Sequence, residues 1–363
     1  MRLLRLGLVV CCVALLGACS LMPGGQSLAP TASYGPPSVR GVAYHGMWAS
    51  RDAAARAAIL DQLAASGIGW VRMDVAWKDL QPDAPGEFDP EGVAELDRRL
   101  GEIADRGLKT LVMFWWAPSW SSGTTEQSGI PANPQDYAAV AGWLVERWPS
   151  EIAALQVWNE PNLPEFFADQ DPAAYARLIA AAYPRVKSVR PDLTVVTAAP
   201  SGVDMEWYAG FLDAPVTGTF DAVGAHPYPV TGDLGPQECA GSPESGCDID
   251  RLVSFLDDRG LSETPIWVTE FGWSTHPGFP AMEAWQRGVD EEQQAQYTAA
   301  MLALFSRIPQ IEAAFIYRDR DFTDSDPHRN GFGILRADNS PKPVYTVLTC
   351  PTTEACRALS RGG

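Results

Sequence analysis

Positive charge is what this chain has least of: 27 lysines and arginines face 45 aspartates and glutamates, a formal charge of −18 over 363 residues. Nucleic-acid binding depends on clustered Lys and Arg, so a surface of this sign excludes that partner. A small basic site inside the acidic envelope is still compatible with an acidic polymer. No polybasic stretch is present to hold anionic lipid. Cysteine pairs at Cys-x-x-Cys spacing are absent, and no histidine follows the cysteines at finger distance, which argues against a zinc site. Asp319, Asp321, Asp324 and Asp326 lack the spacing and closing Glu of a calcium loop, so no metal and no cofactor are expected.

Long apolar runs are also missing, apart from Leu6 to Leu16 behind Arg2 and Arg5. That run is short for a spanning helix and has the anatomy of a secretion signal. Its end, Leu16-Gly17-Ala18-Cys19, resembles a bacterial lipobox. The expectation is a signal peptide over residues 1–18 and a lipid on Cys19, with a signal cleaved elsewhere or an uncleaved anchor as the alternatives. Residues 19–39, rich in Pro, Gly, Ser and Ala, then read as a flexible tether to a bacterial membrane, with the protein extracytoplasmic. Loss of Arg2 and Arg5 leaves 25 basic against 45 acidic residues, a charge of −20. Of seven cysteines, Cys239, Cys247, Cys350 and Cys356 remain, an even number suited to an oxidising compartment. Spacing suggests Cys239 with Cys247 and Cys350 with Cys356, although four cysteines permit three pairings.

Residues 40–348 show no comparable break and read as one domain, followed by a short tail over 349–363. Eight apolar, β-rich runs recur: Gly41 to Met47, Trp70 to Trp77, Thr110 to Trp116, Leu155 to Asn159, Thr194 to Ala199, Ala222 to His226, Ile266 to Glu270 and Ala313 to Tyr317. Between them lie helical stretches with entry and exit signals. Asp52 opens one that closes at Gly67, and Asp89-Pro90 opens another, with Val93, Leu96, Leu100 and Ile103 on one face, that closes at Gly107. Asn133-Pro134 and Asp171-Pro172 repeat the cap-then-proline entry. Eight strands alternating with helices predict an α/β fold, a (β/α)8 TIM barrel, whose site lies at the C-terminal ends of the strands.

Two glutamates fall at that end, Glu160 after the fourth run and Glu270 in the seventh. Carboxylates at two strand ends can converge on one glycosidic bond, where one protonates the leaving oxygen and the other attacks the anomeric carbon. Taken singly, either glutamate is as readily a solvated or salt-bridged carboxylate.

The pieces around them resemble glycoside hydrolase clan A, and most of all glycoside hydrolase family 39, especially its bacterial members acting on polysaccharide. They are Trp70-Val71-Arg72, Trp115-Trp116-Ala117-Pro118-Ser119-Trp120, Trp158-Asn159-Glu160-Pro161-Asn162, His226-Pro227-Tyr228, Thr269-Glu270-Phe271-Gly272-Trp273, and Gly331 to Leu335 leading to Pro341-Lys342-Pro343. The resemblance implies Glu160 as general acid/base and Glu270 as nucleophile of a retaining enzyme. The Glu270 charge is expected to raise the Glu160 pKa. Asn159 is expected to bond the hydroxyl beside the reacting carbon, Arg72 to orient Glu270, and Tyr228, with His226 beside it, to donate to the nucleophile. A turn residue, an ion pair and a structural histidine are the plain alternatives for Asn159, Arg72 and His226.

Trp48, Trp77, Trp115, Trp116, Trp120, Trp158 and Trp273 crowd the predicted strand ends. Because strand side chains alternate, about half are expected to be packing. Trp116 and, past the strand ends, Trp120 and Trp273 are expected to meet sugar. Clan relatives often carry Trp at the end of strand eight, where this chain reads Tyr317-Arg318-Asp319-Arg320-Asp321. Arg318 or Arg320 is a candidate for an acidic sugar, and a solvated salt-bridge strip is the alternative. The expected protein is a monomeric glycosidase of an oligosaccharide or polysaccharide at the cell envelope. An exo-acting xylosidase-like enzyme, a transglycosylase and a non-catalytic glycan-binding lipoprotein are its rivals.

Overall fold

The structure, a computed structural model, describes residues 37–48, 52–242, 244–276, 283–323 and 326–349. The expected signal, Cys19, Cys350, Cys356 and almost all of the tail lie outside these residues. Eight strands form one parallel sheet in the order β5-β4-β3-β2-β1-β8-β7-β6. They are β1 Val39–Ala43, β2 Trp70–Ala76, β3 Lys109–Trp115, β4 Ile152–Val157, β5 Thr194–Val196, β6 Val223–Ala225, β7 Ile266–Phe271 and β8 Ile311–Ile316. The two ends meet through the bridge Val196↔Ala222, and Thr197 N donates to Ala222 O at 3.0 Å, which brings the sheet round into a (β/α)8 barrel.

The predicted helix entries form as the caps demand. Asp52, Asp89, Asn133 and Asp171 each accept from a backbone N–H of the first turn, and Pro90, Pro134 and Pro172 occupy the first helical position, where a missing N–H costs nothing. Gly67 and Gly107 follow two of these helices at φ +82° and +71°, the left-handed conformation that glycine adopts without a Cβ clash.

Each strand is covered on both faces. Outward residues such as Val71, Met73, Val75, Val112 and Phe114 join the core beneath the helices. Inward residues Leu111, Ala154, Val196, Ala222, Trp267, Ala313 and Phe315 fill the bottom of the barrel. The space there is so tight that a Cβ on Gly41 would lie 2.4 Å from the Phe315 ring. Alternation then places the next inward residues of β2, β4 and β7, namely Arg72, Gln156 and Thr269, one layer higher, where they bond to one another. An apolar plug thus carries a polar floor at the strand ends.

Cys239 and Cys247 are joined in a disulfide between β6 and β7. Among the described residues no helix is long and apolar enough to cross a membrane.

Candidate active site

The polar floor is organised by Arg72. Its guanidinium donates from Nε to Gln156 Oε1 at 2.7 Å, from Nη1 to Glu270 Oε1 at 2.5 Å and from Nη2 to Asn159 Oδ1 at 2.8 Å. One planar fork therefore fixes groups from β4, the turn after it and β7, which a flexible lysine could not do. The Tyr228 hydroxyl donates to the other oxygen of Glu270, Oε2, at 3.0 Å. Burial, with the Glu270 charge beside it, pushes the Tyr228 pKa well up, so the phenol stays a donor.

The chain leaves β4 through two left-handed residues, Trp158 at φ +73° and Glu160 at φ +34°. Such a conformation is costly outside glycine and persists where the surroundings hold it. Here the Trp158 ring is fully buried and its indole donates to Phe166 O at 2.8 Å. The turn leaves Asn159 on Arg72 and brings Oε1 of Glu160 to 2.9 Å from Nδ1 of His226. Nε2 of His226 lies 3.0 Å from the Thr269 hydroxyl, which also accepts from Gln156 Nε2 at 2.9 Å.

Glu160 and Glu270 thus sit in different surroundings although both are buried. Glu270 has a cation and a phenol against its oxygens. Glu160 has no cation in contact, and burial raises its pKa to about 7, with Arg72 and the Ser201 side chain pulling the other way and Glu165 adding to the rise. The expected cause, the Glu270 charge, is not the dominant one, since Arg72 neutralises that charge on the spot. His226 is driven down to about 3 by burial, with Arg72 adding to the fall and Glu270 opposing it, and is neutral. A neutral imidazole carries one ring proton, and two arrangements satisfy both of its bonds. Either Nδ1–H donates to an ionised Glu160, or a protonated Glu160 donates to Nδ1 and Nε2–H donates to Thr269.

One oxygen of Glu160, one nitrogen of His226 and one oxygen of Glu270 lie within 4.8 Å of one another, close enough to suggest a metal. The Arg72 guanidinium, already on Glu270, would face any such ion with like charge. The arrangement is better suited to moving protons.

The tryptophans divide differently from expectation. Trp273 is 2% exposed, donates its indole N–H to Leu234 O at 2.7 Å and packs on Tyr297. It belongs to the core and is not positioned to meet sugar, because the chain past β7 turns it under the loop carrying Leu234. Trp120 donates to Gln81 O at 2.8 Å and lines a partly open cavity of about 150 Å3 with Phe88 and Trp143. Trp116 is half-buried beneath Lys78, whose Nζ lies 4.6 Å from the ring centroid. Trp115 shares the inward face of β3 with Leu111, and its buried indole N–H has no partner among the described residues.

Of the remaining neighbours, His45 and Asp74 carried no sequence signal, whereas Trp48 and Tyr317 stood at predicted strand ends. His45 and Trp48, after β1, both bond Asp74, at 3.1 and 2.9 Å, and His45 Nε2 is buried without a partner among the described residues. Burial works to raise the Asp74 pKa, and these two bonds more than offset it, leaving Asp74 below the ordinary carboxylate range. Its place was readable in one respect, since it stands two residues beyond Arg72 on the same strand face. Tyr317, at the end of β8, meets Tyr228, Phe332 and His45 edge-on. The residues after it are not a solvated strip. Arg318 and Asp319 are buried, and Arg318 donates to the carbonyls of Arg320 and Arg329, so it is spent on loop backbone. Arg320 donates to Asn339 Oδ1.

A family model described as the glycosyl hydrolase catalytic core matches residues 114–342. A beta-xylosidase from Geobacillus stearothermophilus is 27% identical, over 78% of this chain and 60% of its own length. This chain therefore spans about three fifths of that curated relative. Among solved structures, a family 39 glycoside hydrolase from the gut symbiont Bacteroides cellulosilyticus WH2 superposes with a TM-score of 0.67 at 23% identity, covering 90% of this chain and 64% of that one. A monomeric beta-xylosidase from Caulobacter crescentus CB15 superposes with a TM-score of 0.63 at 19% identity, covering 87% and 69%. At these identities the structural likeness establishes the fold.

Proposed function

This chain belongs to the glycosyl hydrolase catalytic core family, and from that premise we propose that it is a retaining glycosidase of an extracellular or envelope glycan. The observation that carries the reading is the contrast between two carboxylates whose nearest oxygens are within 4.8 Å. A retaining pair stands about 5 to 5.5 Å apart, whereas an inverting pair leaves about 6.5 to 9.5 Å for a water. In the first step Glu270 Oε attacks the anomeric carbon as the bond to the leaving oxygen breaks, and Glu160 gives its proton to that oxygen. Water then attacks the same carbon, Glu160 takes a proton from it, and the bond to Glu270 breaks. The surroundings suit both roles: Arg72 and Tyr228 aim an anionic nucleophile, and burial keeps Glu160 protonated at the start. Arg72 also ties Asn159 to the nucleophile, so the sugar hydroxyl that Asn159 would bond is registered against the attacking oxygen.

The Geobacillus relative makes a β-xyloside the first substrate to try. Turnover of 4-nitrophenyl β-D-xylopyranoside and of a panel of polysaccharides, with NMR of the first-formed anomer, tests the reading. Retention of configuration is the expected result, and inversion by the unaltered enzyme would falsify Glu270 as nucleophile.

Export and anchoring through Cys19 rest on the lipobox-like segment. Cys19→Ser should move the protein from the membrane fraction to the soluble one. Mass spectrometry locating the mature N-terminus at another residue refutes the anchor.

A further inference from the structure

The disulfide between Cys239 and Cys247 takes no part in the chemistry described above, yet the loop it closes lies against a residue that does. Both cysteines are fully buried and stand eight positions apart. Inside that ring Ser245 is buried as well, and its hydroxyl donates to Cys239 O at 3.2 Å and accepts from Cys247 N at 3.3 Å. Disulfide and hydroxyl together fix the backbone of Ser245 and Gly246. Two neighbouring loops are tied to that backbone. Ser245 O accepts from Val230 N at 2.7 Å, in the loop after β6, and Gly246 O accepts from Val203 N at 2.6 Å, in the loop after β5. Gly246 also lies so close to the β6 loop that a Cβ on it would stand 2.9 Å from Tyr228 O and 2.9 Å from Val230 Cγ1. Tyr228, whose own N–H donates to His226 O at 2.7 Å, is the residue whose hydroxyl donates to Glu270 Oε2 at 3.0 Å.

We propose that Cys239 and Cys247, through Ser245 and Gly246, form a brace that positions Tyr228 on the nucleophile. This rests on the reading of Glu270 as nucleophile. β6 ends at Ala225, three positions before Tyr228, so the sheet itself does not set where the phenol goes. The Tyr228 ring meets those of His226, Tyr317 and Phe332 edge-on, with centroids 6.1 to 6.5 Å apart. Such contacts tolerate a small slide of the ring. A hydrogen bond does not, since it weakens steeply as its angle closes, and the bond to Glu270 is what a slide would lose. Ring closure over so few residues leaves Ser245 and Gly246 few other backbone conformations, and their contacts with Val230 and Tyr228 carry that constraint to the β6 loop.

The test separates positioning from bulk stability. Tyr228→Phe removes the donor itself and should lower kcat/KM on 4-nitrophenyl β-D-xylopyranoside by roughly 10 to 100-fold, the range of a hydrogen bond to a charged group. Cys239→Ala with Cys247→Ala, measured well below its melting temperature, should lose part of the same factor. Added to Tyr228→Phe, the two alanines should lower activity no further, because the bond they serve is already gone. Equal loss in both backgrounds overturns the inference, and so does full activity without the disulfide. If the cysteine variant does not fold, Gly246→Ala keeps the cross-link, presses on Tyr228 O and should show the same dependence on the Tyr228 background. Fluorine NMR of the protein labelled with 3-fluorotyrosine reads the placement without turnover. The resonance lost in Tyr228→Phe should shift or broaden when the disulfide is removed, and an unmoved resonance overturns the brace. A Glu270→Ala variant that keeps its turnover defeats the nucleophile reading instead, and the fluorine resonance then still decides whether the brace exists.

Discussion

Nδ1 of His226 lies 2.9 Å from Oε1 of Glu160, and both side chains are buried. A protonated imidazole there would hold Glu160 ionised and useless as an acid. Burial prevents it, keeping His226 neutral and Glu160 able to retain its proton. A carboxyl so close to Glu270 need not borrow its repulsion, since Arg72 pairs directly with that charge.

The first prediction concerns leaving groups. Glu160→Ala should lower kcat/KM by about 10² to 10⁴-fold on glycosides whose leaving oxygen needs a proton. On 2,4-dinitrophenyl glycosides the loss of the first step should be slight. A uniform loss across leaving groups would contradict the role of proton donor.

The second concerns the ion pair across the barrel. Arg72→Met leaves Glu270 buried with no cation, and a broken buried pair costs about 3 to 5 kcal/mol. The melting temperature should fall accordingly. Arg72→Met combined with Glu270→Gln should recover much of the loss, and a double-mutant cycle with no coupling would remove the pair as a source of stability.

Stability should depend on pH through two opposed groups. Glu160 is raised from 4.5 to about 7, so the folded state holds a proton that the unfolded chain gives up, and stability from this group falls as pH rises from about 4.5 to 7. His226 is lowered from 6.5 to about 3, so the unfolded chain binds the extra proton, and stability from this group rises between about 3 and 6.5. The two contributions offset one another where the windows overlap. Glu160→Gln removes one of them, and its melting temperature should gain on the unaltered protein as pH goes from 5 to 7. A constant difference across that range would contradict the assigned shift.

Two tryptophans should respond in separable ways. Trp273→Ala empties a core position and should cost about 3 to 5 kcal/mol of stability. Trp115→Phe keeps a ring at the barrel mouth and removes the unpartnered indole donor along with part of the ring's packing, two changes that offset one another in stability. It should leave the melting temperature nearly unchanged and raise KM by roughly 2 to 10-fold, the range of one hydrogen bond. An unaltered KM would show that this N–H does not meet substrate.

The barrel and its two glutamates were legible in the linear chain because their causes are local. Alternation and β-branched runs make strands, Asp-Pro and Asn-Pro entries and glycine exits bound the helices, and a Glu that ends such a run falls on the catalytic face. Arg72 was readable for the same reason, as an inward position on the second strand. Which tryptophan is core was not readable, since Trp273 is settled by Leu234 and Tyr297 from other loops. Arg318 looks like a surface charge until the loop carbonyls of Arg320 and Arg329 are found around it. The pKa of Glu160, its contact with His226 and the pairing of His45 with Asp74 depend on how eight strands register around a closed sheet. Those contacts join residues tens of positions apart, and no local pattern of side chains encodes them.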